Sequence, residues 1–219
     1  MSTNVTASRP PVTETLMIAG PVGALEARRE VPAADAGRAC GVVCHPHPLH
    51  GGTMDNKVVH AAARAMQMLG APTLRFNYRG VRASEGRYGE GLGEREDALA
   101  VVAAARAAWP GRALWLAGFS FGAAVALAVA DRAQATRLVT IAPPVGRLMP
   151  VELPRPAMPW LVVQGSADEL VEAQAVAAWA GRYAPPPEFA LMDGASHFFH
   201  GHIVQLRDLV GAFLARERP

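Results

Sequence analysis

The sequence predicts an α/β fold: a three-layer sandwich on a mostly parallel, twisted sheet of about eight strands, opened by an antiparallel hairpin. Three observations predict it. From Ala39 onward, short apolar runs alternate with longer helical stretches rich in alanine. Parallel strands need crossovers of a dozen or more residues, and those stretches supply them. Hydrophobic residues make up 51% of the 219 while aromatics reach only 6%, so the core is large and filled by small side chains that let helices lie close on a sheet.

Residues 1–12 read as a loose, polar lead-in with a Pro10-Pro11 stop, and residues 13–219 as a single domain. Thr13–Ile18 and Gly23–Val31 are strands joined at Gly20-Pro21. Gly41–Cys44 is a buried-strand run, and Asp55–Leu69 is a helix closed by Gly70. Thr73–Asn77 follows as a strand, then a glycine-rich loop over 79–93 and an alanine-rich helix over Glu94–Trp109, stopped by Pro110-Gly111. Ala113–Ala117 is a strand and Phe121–Ala133 a helix. Strands at Leu138–Ala142 and Trp160–Val163, a helix over Val171–Tyr183, a strand at Phe189–Met192 and a helix over Ile203–Glu217 complete the pattern. In such sheets the chemistry sits outside the carboxyl ends of the strands.

Composition removes several functional classes. A formal net charge of +2, with no run of basic residues, argues against a nucleic-acid partner. Apolar runs stop well short of the roughly 18 residues a membrane helix needs, and the first residues lack the pattern of a secretory signal. Cys40 and Cys44 are the only cysteines. Four residues apart on one strand they lie about 13 Å from each other, too far for a disulfide, which points to a reduced, cytoplasmic compartment.

Gly118-Phe119-Ser120-Phe121-Gly122 matches G-x-S-x-G, a pattern expected about 0.05 times by chance at this composition. Context strengthens it, because the motif leaves a strand and opens a helix. A sharp turn there lifts the Ser120 hydroxyl out of the sheet, and the flanking glycines let the backbones pack around it. A serine needs a base. His197, in the loop after the last strand, is the candidate, with His200 and His202 as neighbours falling at or into the closing helix. Asp168, past the Trp160–Val163 strand and just ahead of the Val171 helix, can orient that imidazole; Glu169 and Asp193 are its rivals. Ser120, Asp168 and His197 each follow a different strand, and that coincidence weighs more than any single placement.

An acyl-transfer site also needs donors aimed at the developing oxyanion. The backbone N–H of Phe121 is one. The second comes from the loop His45-Pro46-His47-Pro48-Leu49-His50-Gly51-Gly52, where the prolines have no N–H. His47 is the preferred donor and Leu49 the reserve. The same loop offers Cys44, His45, His47 and His50 as potential zinc ligands, although alternate strand residues face opposite ways and a distant second ligand pair is not evident.

With these pieces assembled, the chain resembles the serine α/β hydrolases, in particular their small, lidless, dienelactone-hydrolase-like members. The resemblance rests on His45-Pro46-His47-Pro48 with Gly51-Gly52-Thr53-Met54-Asp55-Asn56-Lys57, on Phe76-Asn77-Tyr78-Arg79-Gly80, on the Ser120 turn, on Gln164-Gly165-Ser166-Ala167-Asp168 and on Gly194-Ala195-Ser196-His197-Phe198-Phe199. It spans Ala39 to the C-terminus. It implies acyl hydrolysis through an acyl-enzyme, with Ser120 as nucleophile, His197 as base, Asp168 as its orienter, and no metal or organic cofactor. The expected partner is a small-molecule acyl substrate, with no nucleic acid or membrane. Dienelactone hydrolases proper carry cysteine as nucleophile, so the serine here departs from them. Between the sixth and seventh strands only Pro143–Pro159 intervenes, too short for a helical cap, so a shallow, open site is expected. Arg79 and Asp97 read as structural, a loop anchor and a helix charge. A hydrolase-shaped binding protein without turnover and a small-peptide hydrolase are the alternatives.

Overall fold

The hairpin that opens the chain is β1 (Val12–Gly20) with β2 (Gly23–Val31), paired antiparallel from Val12↔Val31 to Gly20↔Gly23. The structure, a computed structural model, describes residues 12–148 and 154–216. Val12 therefore belongs to the first strand and not to the predicted lead-in, whose other residues, 1–11, lie outside the described residues. The βα alternation then follows: β3 (Ala39–Cys44), α1 (Lys57–Met68), β4 (Thr73–Phe76), α2 (Leu92–Ala108), β5 (Ala113–Phe119) and α3 (Phe121–Val129). After β6 (Arg137–Ile141) come β7 (Trp160–Gly165), α4 (Ala173–Ala180), β8 (Glu188–Met192) and α5 (Ile203–Ala215).

The described residues form one eight-stranded sheet in the order β1-β2-β4-β3-β5-β6-β7-β8. β2 meets β4 antiparallel, and every pair from β4 to β8 is parallel. β3, β6 and β7 are buried along their whole length, as expected for strands covered by helices on both faces. One face packs under α2, α3 and α4 around Leu74, Phe76, Leu114, Leu116, Val162 and Trp160. The other packs under α1 and α5 around Val43, Phe119, Ile141, Leu161 and Val163. The predicted three-layer sandwich is borne out, and residues 142–159 between β6 and β7 carry no helix where they are described.

Several boundaries moved for local reasons. α1 starts at Lys57 and not Asp55, because Asn56 caps it by accepting from the Val58 N–H. α2 starts at Leu92, two residues early, where the Glu94 carboxylate accepts from the Gly91 and Gly89 N–H groups. α3 stops at Val129 and α4 is shorter at both ends than predicted.

Polarity in β4 escaped the sequence reading. Thr73 and Arg75 are buried in it, and Asn77, which the sequence assigns to the strand, is buried just past its end. The Arg75 guanidinium donates to both Glu30 oxygens and to the Met54 carbonyl. Asn77 accepts from the Met54 N–H and donates to Glu26. These bonds pin the loop after β3 to the sheet, which fixes the loop that borders the site.

Candidate active site

Six parallel strands end on one edge of the sheet, and the site is built from the turns that leave them. β5 runs directly into α3 through Ser120, held at φ 53°, ψ −119°. That conformation is unfavourable for a residue with a Cβ. It is fixed by the Ser120 N–H donating to the Ile141 carbonyl at 2.8 Å and the Ser120 carbonyl accepting from Ala123 at 2.8 Å. The flanking glycines are required. A Cβ on Gly118 would lie 2.0 Å from the Gly122 oxygen, and one on Gly122 would lie 2.3 Å from the Cys44 oxygen. The side chain of Ser120 is thereby raised off the sheet while Phe119 and Phe121 are buried on either side.

The loops after β7 and β8 are tied together beneath it. A Cβ on Gly165 would sit 2.2 Å from the Ala195 oxygen, and the Ala167 N–H donates to that same oxygen at 3.0 Å. This close approach brings Asp168 to His197. Asp168 Oδ2 accepts from His197 Nδ1 at 2.8 Å, and His197 Nε2 lies 3.2 Å from Ser120 Oγ. The Asp168 carboxylate is fully buried and His197 nearly so. Burial alone would raise the Asp168 pKa. The bonds from His197 and from the Val171 and Leu170 N–H groups outweigh it and hold the carboxyl below its ordinary value. An ionised acceptor on Nδ1 assigns the proton to that nitrogen and leaves Nε2 free to accept from the Ser120 hydroxyl.

The rivals stand elsewhere. Asp193 accepts from the Ser166 hydroxyl; His200 is exposed, and His202 Nδ1 lies against the His200 carbonyl. Glu169 is beside the site in another capacity, since its Oε2 accepts from the His197 backbone N–H at 3.0 Å. Sequence reasoning missed Gln164, whose buried Nε2 donates to Asp168 Oδ2 at 2.8 Å and to the Val171 carbonyl at 3.1 Å. Its place four residues before Asp168 was the available signal.

As the first residue of α3, Phe121 has a backbone N–H without an intrahelical acceptor. The His47 N–H has no acceptor among the described residues, whereas that of Leu49 donates to His47 Nδ1 at 3.2 Å. His47 packs its ring against Phe121 at 5.0 Å and Tyr88 at 5.3 Å, and its Nε2 lies 3.3 Å from the Tyr88 hydroxyl. Burial, then the neighbouring His50, pushes its pKa down. Tyr88 was also missed, because only the tertiary fold carries the glycine-rich loop over to His47.

The zinc reading of this loop fails on its donors. His45 Nδ1 lies 2.6 Å from the Pro46 carbonyl and its Nε2 accepts from the Tyr78 N–H at 3.1 Å, so both ring nitrogens are taken. Burial pushes the Cys44 thiol up to about 12. No group of three or more potential ligands gathers among the described residues. Arg79 and Asp97 form a buried pair in which the guanidinium and the Arg79 N–H all donate to the one carboxylate. That is the loop anchor expected of Arg79, and it makes Asp97 the anchor's other half.

Residues 42–203 match the family described as alpha/beta hydrolase domain. The chain belongs to that family. Within the α/β hydrolases it is similar to a solved alpha-beta serine hydrolase homologue from Coxiella burnetii, 46% identical, covering 92% of this chain and 97% of that one with a TM-score of 0.88. It is also similar to XC6422 from Xanthomonas campestris, described as an a/b serine hydrolase without lid: 41% identical, 94% and 97% coverage, TM-score 0.87. The protein RP471 of Rickettsia prowazekii (strain Madrid E) is 33% identical over 191 residues, 82% of this chain and 79% of that one. The family resemblance and the capless hydrolase fold read from the motifs are both borne out, and the chain is a hydrolase in that sense.

Proposed function

We propose that this α/β hydrolase is a serine esterase that cleaves small carboxylic esters, or related acyl bonds such as thioesters, through an acyl-enzyme. The observation that carries the reading is the continuous chain from Asp168 through His197 to Ser120, at 2.8 and 3.2 Å, ending on a serine at φ 53°. Ser120 Oγ attacks the ester carbonyl carbon as its proton passes to His197 Nε2. The tetrahedral oxyanion is received by the Phe121 and His47 N–H groups. Collapse expels the alcohol, which takes the proton from His197. Water then attacks the acyl-Ser120 carbon, again giving its proton to Nε2, and the acid leaves as the serine is restored. Asp168 remains ionised throughout and holds the imidazolium.

The serine hydrolase descriptions of the Coxiella burnetii and Xanthomonas campestris proteins support this chemistry at 46% and 41% identity. Hydrolysis of p-nitrophenyl acetate tests it: Ser120→Ala is expected to lose several orders of magnitude in kcat. Undiminished turnover in that variant overturns the assignment. Fluorophosphonate labelling separates an esterase from a silent binding protein, since only an activated Ser120 is modified. Two free, buried thiols, Cys40 and Cys44, fit a reducing, cytoplasmic location, which cell fractionation tests. No helix among the described residues is long and apolar enough to cross a membrane.

A further inference from the structure

Ten large apolar side chains stand exposed among the described residues, and half of them follow a pattern. Apart from β5, whose turn holds Ser120, each parallel strand is followed by a segment that presents one of them. Leu49 follows β3 and is 68% exposed; Leu92 opens α2 after β4 at 66%; Leu148 follows β6 at 44%; Leu170 follows β7 at 44%; Phe198 follows β8 at 39%. Leu49, Leu170 and Phe198 lie in the segments that directly leave β3, β7 and β8, and Leu92 lies beside the Phe121 ring, so these four stand on the sheet edge where Ser120 stands.

Their neighbours tie most of them to the reacting atoms. Leu49 is bonded through its N–H to His47. Leu92 adjoins Gly91, whose Cβ would touch the Phe121 ring at 3.7 Å. The Leu170 N–H donates to Asp168 Oδ1 at 2.8 Å. The Phe198 ring lies 5.2 Å from the His197 ring and 6.0 Å from that of Phe119.

Apolar side chains held in water cost free energy that a ligand recovers by covering them, and a crown on the same edge as the nucleophile is within reach of a chain attached there. We infer that the substrate class is esters with an apolar acyl chain of medium length, which lies across this crown while its carbonyl is held at Ser120. The inference rests on the esterase reading and adds to it. An open rim suits a flexible chain laid along its surface better than a bulky group that needs enclosure. Full burial of one methylene raises affinity about fourfold, and a rim open to water captures part of that.

The test is a series of p-nitrophenyl esters from acetate to octanoate, each below its critical micelle concentration. For the native chain kcat/KM is expected to rise about two- to fourfold per methylene over the first several. The octanoate-to-acetate ratio should fall at least threefold in Leu92→Ser and Leu170→Ser. It should hold in Met68→Ser, a control 56% exposed at the C-terminal end of α1, where that helix returns to the opposite edge of the sheet. A flat or falling series, with acetate turnover still dependent on Ser120, overturns the inference and leaves the esterase reading standing. Absence of Ser120-dependent hydrolysis of every ester overturns both. Crown variants that alter the oligomeric state by sedimentation while leaving the ratio unchanged overturn it too, and make the crown a contact between copies.

Discussion

Ser120 occupies a backbone conformation it would not choose, and the residues that enforce it are small. The enforcement continues around Asp168. Gln164 and His197 both donate to Asp168 Oδ2, while Oδ1 takes two backbone N–H groups. Four donors leave the carboxylate one orientation, and the imidazole follows it. Gln164→Leu removes one charge-assisted bond and leaves the other three, so kcat is expected to fall about tenfold with KM unchanged. Equal loss in kcat and in thermal stability, with no kcat–KM split, would reduce Gln164 to a packing role. Ser120, Asp168 and His197 were legible because each sits in a short local pattern after a strand. Gln164 and Tyr88 were not, because their roles are defined by partners that only the tertiary fold brings near, such as His47 for Tyr88.

The elements were legible where periodicity and breakers agree. β2 was read to the residue, and β1 lacked one residue at its start and two at its end. Helix ends were less legible, since an Asn56 or Glu94 cap displaces them by two residues without changing the apolar pattern. The pairing of the buried charges was illegible for a stronger reason: Arg79 reads as a loop anchor, but an arginine in sequence does not announce its partner on another element. The Arg79 guanidinium reaches Asp97 on α2 at 2.7 Å, and a Cβ on Gly93 would meet that guanidinium at 2.5 Å. The loop over 77–91, which carries Tyr88, hangs from this joint. Breaking it from one side strands a buried charge, so Arg79→Ala and Asp97→Ala are each expected to cost about 3–5 kcal/mol. Arg79→Met with Asp97→Leu should cost less than the two single losses added. Additive losses by urea denaturation would show that the two residues act separately.

At the scale of the whole molecule, a buried neutral histidine links stability to pH. His45 ends β3's path toward the site, fully buried, and its carbonyl lies where a Cβ on Gly122 would meet it at 2.5 Å. Burial, and secondarily His47, drives its pKa down to about 3, against the opposing pull of the Pro46 carbonyl. In the unfolded chain the same ring has its ordinary value of 6.5. Between those values the unfolded chain holds a proton that the folded chain refuses, so stability rises with pH through this window and falls as pH drops. From pH 7 to pH 5 the loss from His45 is about 2 kcal/mol. His47 and His60 are also held below their ordinary value by burial, so they act in the same direction. Asp168 and Asp35 have lowered carboxyl pKa values, and their stabilisation is lost lower still, as pH falls below the ordinary carboxyl value toward the folded one. The interval from pH 7 to 5 therefore reports mainly the histidines. Urea unfolding free energies are expected to fall by at least 2 kcal/mol across it in the native chain, and by about 2 kcal/mol less in His45→Gln. An unfolding free energy independent of pH over this interval would mean that His45 titrates normally. The site shares this dependence, because His45 backs the glycine that lets the Ser120 turn close. At a fixed pH, fluorophosphonate labelling of Ser120 should then lose its amplitude together with the fold as urea is raised, and not ahead of it.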